Sequence, residues 1–414
     1  MLDAIIIGGG LAGSSAGIGL ARQGWKVLIL EKQKQSHKVC GEFLAPSVWP
    51  VLKKLGIAET VAALGGRPIG TACFSSGSGA KAETNLPFLD LDFPFGYGIS
   101  RQALYACLLL EAKIAGCEIA CPAEALRIEK NSGGFSVEFS KSGQAGKTLV
   151  QSRLVINAAG RKSLSAPVIL RPKAEESTSK SPRRSFTAFR MTNERLRMTN
   201  GKIGFKAHFE GPSPDDQIRL FFFPGGYFGI SAIENNGFNL CGIVNKKGLQ
   251  KYHADFNAIL KETSRKNSLF GQWFAKARRT TDWITCASLA HGKSPAGQDG
   301  VFYAGDSACF LEPFMGQGMT MALAGGLLLA ETLGFPSPAP GEIPQLQACY
   351  QIKLGQLYQS RLSIGNLFHR FIMSGFQSSL LIRLLAFFPS LFQSGVKKSV
   401  ELSLPAQKEP AHAV

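Results

Sequence analysis

Three glycines near the head of the chain, Gly8, Gly10 and Gly13, keep the spacing Gly-x-Gly-x-x-Gly around Leu11 and Ala12, and a carboxylate, Glu31, follows eighteen residues after the last. Each glycine has a distinct use. Gly8 permits a tight turn, Gly10 lets the backbone approach a pyrophosphate, and Gly13 lets a helix lie close to a strand. Glu31 stands where a carboxylate can accept hydrogen bonds from ribose hydroxyls, which favours an unphosphorylated adenosine half such as that of FAD or NAD. A second group of residues, Gly305-Asp306 and then Pro313, Gly316 and Gly318, separates the two. An aspartate at such a turn can bind the ribityl hydroxyls of a flavin, a requirement of FAD that NAD does not share. Gly316 and Gly318 open an apolar helix whose positive end can face the flavin pyrimidine carbonyl and stabilise charge there. FAD is therefore the expected cofactor, and no metal set is expected.

These residues need particular elements beneath them. Ala4-Ile5-Ile6-Ile7 is a short β-branched run suited to a buried parallel strand, and Lys26 to Leu30 supplies the next strand, ending at Glu31. Between them, residues 11–22 carry the small-residue pattern of a helix packed against a sheet. Gly300 to Ala304 predicts a strand delivering Asp306, and Thr320 to Ala330 a buried helix.

The chain thereby resembles the FAD-dependent oxidoreductases of the para-hydroxybenzoate hydroxylase fold, which include aromatic monooxygenases, geranylgeranyl reductases and flavin-dependent halogenases. The motifs run in that order over residues 4–330: the glycine loop with Glu31, Ser100-Arg101-Gln102-Ala103-Leu104, Asn157-Ala158-Ala159-Gly160, then Gly305-Asp306 with Pro313-x-x-Gly316-x-Gly318. The resemblance implies that Arg101 lies near the FAD phosphates, Gly160 near the cofactor, and Ala125 on the strand that meets the adenine. Lys38-Val39-Cys40-Gly41-Glu42 resembles the Cys-Gly-Glu segment of geranylgeranyl-reductase-like proteins. It brings Cys40 toward the isoalloxazine, where it either contacts the ring or packs as an inert thiol. The reductases' Trp-x-Phe-Pro-Lys is missing after Pro224-Gly225-Gly226-Tyr227, and the halogenases' Trp-x-Trp-x-Ile-Pro is absent, so both reactions are disfavoured. No second Gly-x-Gly-x-x-Gly follows a strand. NAD(P)H is then expected at most as a transient donor, alongside an external reduced carrier.

The expected architecture is α/β, α+β overall: a Rossmann-like FAD-binding domain (1–165 and 286–334) carrying an inserted antiparallel-sheet substrate domain (166–285). Part of 66–99 is assignable to either. Helices at 335–401 and a disordered tail at 402–414 complete the chain. Strands are expected at 186–191, 203–209, 218–223, 227–233 and 238–244; their aromatic residues together offer a wall for a hydrophobic or aromatic substrate, while any one phenylalanine reads first as sheet core.

With 45% hydrophobic and 18% charged residues, the 414-residue chain can bury a sizeable core. Nine scattered cysteines without a Cys-x-x-Cys pair favour a reducing compartment, and the start lacks a basic leader, so a cytoplasmic protein is expected. Its net charge of +17 is concentrated in the middle, with twelve Lys/Arg against three Asp/Glu from Arg161 to Lys206 and nine against two from Lys246 to Arg279. No nucleic-acid module accompanies this charge, which points instead to an anionic substrate, an anionic carrier or the inner membrane face. The primary expectation is a monooxygenase-like enzyme. An ene-reductase acting on an isoprenoid lipid and an accessory flavoprotein working with a protein partner are the alternatives, and no catalytic acid or base is assigned.

Overall fold

The computed structural model describes residues 1–35, 38–77, 79–143, 146–162, 202–212, 216–287, 292–293, 297–298, 300–335, 337–372 and 375–402. The expected strand at 186–191 and nearly all of the expected tail at 402–414 lie outside these residues.

The first strand, Leu2–Ile7, is flanked in parallel by Val27–Leu30 and Thr148–Asn157. Glu118–Ala120 extends this sheet on one side and Val301–Tyr303 on the other, again in parallel. Strands covered on both faces need apolar residues throughout, and Ala4, Ile5, Ile6 and Ile7 are all buried. A meander, Ala123–Asn131 and Gly134–Lys141, joins antiparallel to Thr148–Asn157. Against one face packs Leu11–Arg22, and against that helix packs Gly318–Leu333. Their approach is close enough that a Cβ on Gly326 would stand 2.3 Å from the Ala12 carbonyl oxygen, so only glycine fits there.

A second sheet contains the expected strands in the order Lys202–Glu210, Gly237–Asn245, Gly226–Ala232 and Gln217–Phe223, each antiparallel to the next. Two further strands, Thr71–Ser76 and Lys81–Asn85, complete its far side, with Thr71–Ser76 parallel to Gln217–Phe223.

Alternation along these strands sorts the aromatic residues. Phe205, Phe209, Phe221, Phe223, Phe228 and Phe238 point to one face, where the helices Phe256–Lys266 and Ser268–Phe274 cover them with Phe256, Phe270 and Trp273. The intervening residues Gly204, Tyr227, Gly229, Ser231 and Cys241 face the cofactor side. Of the two expectations for the sheet's phenylalanines, sheet core holds for these six, because helices bury the face they occupy.

Three helices close the chain: Ile343–Ile372, Gly375–Phe387 and Pro389–Val400. Arg361, buried on the first, donates to the carbonyls of Leu357, Val400 and Glu401 and so pins the end of the last. Among the described residues no single helix is long and apolar enough to cross a membrane.

Candidate active site

The two sheets and the C-terminal helices enclose one cavity of about 570 Å³, within the range of small-molecule sites. Its cofactor-side rim is built by elements that end there. Helix Leu11–Arg22 begins after Gly10, whose φ of −69° and ψ of −174° suit any residue. Gly8 has φ +103°, and a Cβ there would clash with Ala158 backbone at 2.6 Å. A Cβ on Gly13 would lie 1.9 Å from the Gly8 carbonyl oxygen. Thus Gly8 and Gly13 are required by the chain's own packing. Gly10 is different: only the Arg101 guanidinium, 3.8 Å from its notional Cβ, comes near. Gly318 likewise has nothing within 4 Å. Packing within the chain requires glycine at neither position, and both line the cavity.

Opposite this loop, Ala304 N–H donates to the Asn157 carbonyl and Gly160 N–H to Ser307 Oγ, clamping the 157–160 strand end to the Gly305-Asp306 turn. Lys38, which has surface open to the cavity, lies across Gly160, its Nζ 2.9 Å from a notional Cβ there. Enclosure by the surrounding protein lowers the Lys38 pKa; Asp306 pulls the other way, and Arg101 and Arg161 add to the lowering. Arg161 stacks 4.5 Å over the Phe310 ring and donates to Cys286 Sγ. Three cations and one carboxylate therefore face this part of the cavity, a setting for an anionic group held beside hydroxyls.

A buried carboxylate ties this rim to the second sheet. Glu42, at φ +51°, accepts the Arg101 backbone N–H at 2.8 Å and ion-pairs with Lys206, while its other oxygen meets His208 Nε2 at 2.6 Å. Burial alone would raise the Glu42 carboxyl, but the bonds to His208 and Lys206 outweigh it and hold the pKa below the ordinary value. For Lys206, burial pulls the ammonium down, and Cys40 and Glu42 raise it further than that. Asn239 donates to the Cys40 carbonyl from the neighbouring strand at 3.1 Å, so the whole 40–42 loop is fastened to the sheet.

Several buried polar atoms facing this space have no protein partner: Arg101 Nε, both amide atoms of Gln317, and the Tyr227 hydroxyl. Buried polar groups are ordinarily satisfied, and three such side chains on one cavity are what a polar ligand would complete. With the bare Gly10 and Gly318 and the cations around Gly160, they fit a flavin dinucleotide. Beyond them the cavity is apolar, walled by Phe74, Leu220, Phe310, Phe314, Leu385 and Phe392. Tyr227 and Phe314 meet edge to face at 5.8 Å, and Phe74 touches both Phe314 and Phe392.

Of the residues singled out in the sequence, Gly10, Leu11, Ala12, Cys40, Arg101, Gly160, Gly305, Asp306, Pro313, Gly316 and Gly318 line this one cavity. Gly8, Gly13, Glu31 and Ala125 do not. Glu31 accepts the Gly9 N–H at 2.7 Å and the Gln33 N–H at 2.8 Å, leaving its oxygens further lone pairs for a hydroxyl. Ala125 lies on the meander just past Ala123, whose N–H bonds to the Glu31 carbonyl. Lys38, Tyr227 and Gln317 were missed as site residues although each stood inside or beside a segment of interest.

A family model described as an FAD binding domain matches residues 1–201. Among curated proteins, a tryptophan 2-halogenase of Chondromyces crocatus is 23% identical over 84% of this chain, which spans 64% of that enzyme. Digeranylgeranylglycerophospholipid reductase 3 of Methanosphaera stadtmanae is 25% identical over 79% of this chain and 76% of its own length. In structure, a flavin-dependent brominase superposes with a TM-score of 0.72 at 18% identity, covering 96% of this chain and 93% of that one. The chain thus spans just under two thirds of the halogenase it matches. Halogenases appear among its relatives despite the missing Trp-x-Trp-x-Ile-Pro, because that motif is a short local feature while the fold and the cofactor motifs extend over the whole likeness.

Proposed function

Since the chain belongs to the FAD-binding fold family shared by flavin-dependent halogenases, monooxygenases and geranylgeranyl-reductase-like proteins, we propose that this FAD-dependent oxidoreductase oxygenates a hydrophobic or aromatic small molecule. The observation that carries the reading is the single cavity whose polar, cationic end passes directly into an apolar aromatic chamber. Bound FAD supplies two-electron chemistry and, when reduced, the electrons that activate dioxygen. The chain's own part is to bind, orient and exclude water. In this reading Gly10 and the start of helix Leu11–Arg22 receive the pyrophosphate with Arg101 and Lys38, Glu31 the ribose, Asp306 the ribityl chain, and Gly316 to Gly318 the ring edge. Gln317 and Tyr227 offer hydrogen bonds to a cofactor or substrate atom at the junction, while Phe74, Phe314 and Phe392 keep that junction dry. NAD(P)H or a reduced carrier would supply the electrons.

A second reading, reduction of a double bond in an isoprenoid chain, is favoured by the extent of the apolar chamber, which reaches Leu381 and Val396 on the last two helices. One experiment separates the two. Anaerobically photoreduced holoprotein is mixed with candidate ligands, with and without oxygen and bromide, and flavin oxidation and product mass are followed together. Product gaining one oxygen atom supports the first reading. Gain of two hydrogens without oxygen uptake replaces it with the second, and bromide-dependent gain of bromine replaces both with halogenation.

A further inference from the structure

The last two helices are two-sided. Inward, Ile382, Leu385 and Phe392 are buried against Leu220, Phe222, Tyr227 and Ile243 of the second sheet. Outward, Leu380, Leu384, Phe387, Phe388 and Leu391 are 53, 47, 79, 48 and 63% exposed. Leu380, Leu384 and Phe387, spaced by four and three residues, share one face of the first of these helices; at the 106° bend that follows, the Phe387 ring meets that of Phe388 at 5.0 Å, and Leu391 stands three residues further on. A contiguous apolar face of this kind marks an interaction site in a folded protein.

Charge says which partner it fits. From Ile343 to Val400 the sequence contains six Lys and Arg residues and no Asp or Glu. Arg383 and Lys398 are exposed beside the apolar face, whereas Lys397 is partly answered by Glu401 at 3.6 Å. Apolar side chains flanked by an excess of cations are complementary to an anionic lipid surface, where such helices lie in the plane of the interface. Crossing the bilayer is ruled out by the inner face, which would have to leave the sheet, and by Arg361, which holds the end of the last helix.

The cavity meets this face. Leu391 belongs both to the exposed stripe and to the cavity wall, and Lys398 and Val396 line the wall beside it. We infer that the outer face of Gly375–Val400 docks on an anionic lipid bilayer, setting the chamber's wall against the lipid. The inference rests on the proposed reading only in that it gives a lipophilic ligand a route to the chamber.

The test uses full-length protein loaded with FAD, floated with vesicles of phosphatidylcholine alone or of equal parts phosphatidylcholine and phosphatidylglycerol. Binding to the anionic vesicles is expected to exceed binding to the neutral ones by at least about tenfold and to weaken with added salt. The variant L384S/F387S/F388S, which spares every cavity-lining residue, should bind at least about tenfold more weakly at unchanged flavin content and melting temperature. F387W should keep the binding and shift indole emission to the blue on anionic vesicles only. The inference is overturned if the yellow wild type stays unbound with both vesicles, if the triple serine variant binds as well as wild type, or if the wild type dimerises and that variant does not. The last outcome assigns the face to a second copy. A colourless protein in excess FAD would instead defeat the proposed function and leave the docking measurement standing.

Discussion

Replacing Glu42 with glutamine tests the strut between the cofactor rim and the second sheet. Glu42 is 1% exposed and the Lys206 side chain 5%, so the exchange leaves a buried ammonium without its counter-charge while keeping the size of the side chain. Removing one partner of a buried pair costs about 3–5 kcal/mol. The amide can still accept the Arg101 N–H, and His208 is 26% exposed and can turn to water, which places the expected loss near the lower end, about 3 kcal/mol. Urea unfolding of the holoprotein, followed by tryptophan fluorescence, measures it. Lys206→Met in the Glu42→Gln background removes the stranded charge, and the double variant should recover most of the loss, a coupling of about 2 kcal/mol or more. The pH dependence gives an independent sign. The depressed Glu42 pKa contributes stability that is complete above its unfolded value near 4.5 and is lost as pH falls through the lower folded value. The raised Lys206 pKa contributes stability that is complete below 10.5 and is lost as pH rises through the higher folded value. Glu42→Gln should therefore flatten the acid limb of the stability curve. Single-variant losses that add to within about 0.5 kcal/mol, or an unchanged acid limb, would refute the strut.

Gly10→Val and Gly13→Ala should part company: the first yields folded protein that no longer retains FAD, the second fails to fold or melts far lower, as circular dichroism and flavin absorbance of the purified variants will show. Arg101→Gln removes a charged hydrogen-bond donor at the cofactor rim and should weaken FAD binding by about 10- to 150-fold in a flavin-fluorescence titration. Tyr227→Phe deletes an unpartnered buried hydroxyl, so the protein should be as stable as wild type or up to about 1 kcal/mol more so in urea, while ligand-induced flavin spectral changes weaken. A loss of stability in that variant would mean that the hydroxyl is already satisfied in the folded chain.

What could be read from the sequence was what is locally encoded. The glycine loop, Glu31 and the Gly305-Asp306 turn each belong to a strand–turn–helix or strand–turn unit, so residue spacing along the chain translates directly into geometry. The strands from Lys202 to Asn245 announced themselves through clusters of apolar residues between turns. The strand Thr71–Ser76 did not, because its residues Thr-Ala-Cys-Phe-Ser-Ser carry little apolar pattern and its parallel partner lies some 146 residues away. Glu42 was visible as part of a motif but not as an ion-pair centre, since Lys206 and His208 are 164 and 166 residues further on. One signal for them was present. In Ile203-Gly-Phe-Lys-Ala-His-Phe209 the polar residues recur every second position within an apolar strand, which means a strand buried on both faces whose second face meets something polar.

That two-faced strand explains how one sheet can serve both fold and chemistry. Its helix-covered side spends six phenylalanines on stability, and nothing on that side needs to change for a different substrate. Its other side is more open: Gly204, Gly229, Ser231 and Cys241 give the cavity room beside Ile218, Leu220 and Ile243, and Tyr227 alone among the sheet's aromatic residues between 202 and 245 reaches it. On the helix-covered side, a Cβ on Gly242 would stand 2.5 Å from the Tyr227 carbonyl oxygen and 2.6 Å from the Phe205 ring, so this glycine is fixed by packing. Gly229 is not, because its nearest neighbour would be 3.7 Å away. Room at Gly229 is therefore adjustable where room at Gly242 is not. Gly229→Ala should leave stability within about 0.5 kcal/mol while narrowing the set of ligands that perturb the flavin spectrum. Gly242→Ala should lower stability by about 1–3 kcal/mol through overpacking. Equal effects of the two on urea unfolding would remove the distinction between a face built for the core and a face built for the ligand.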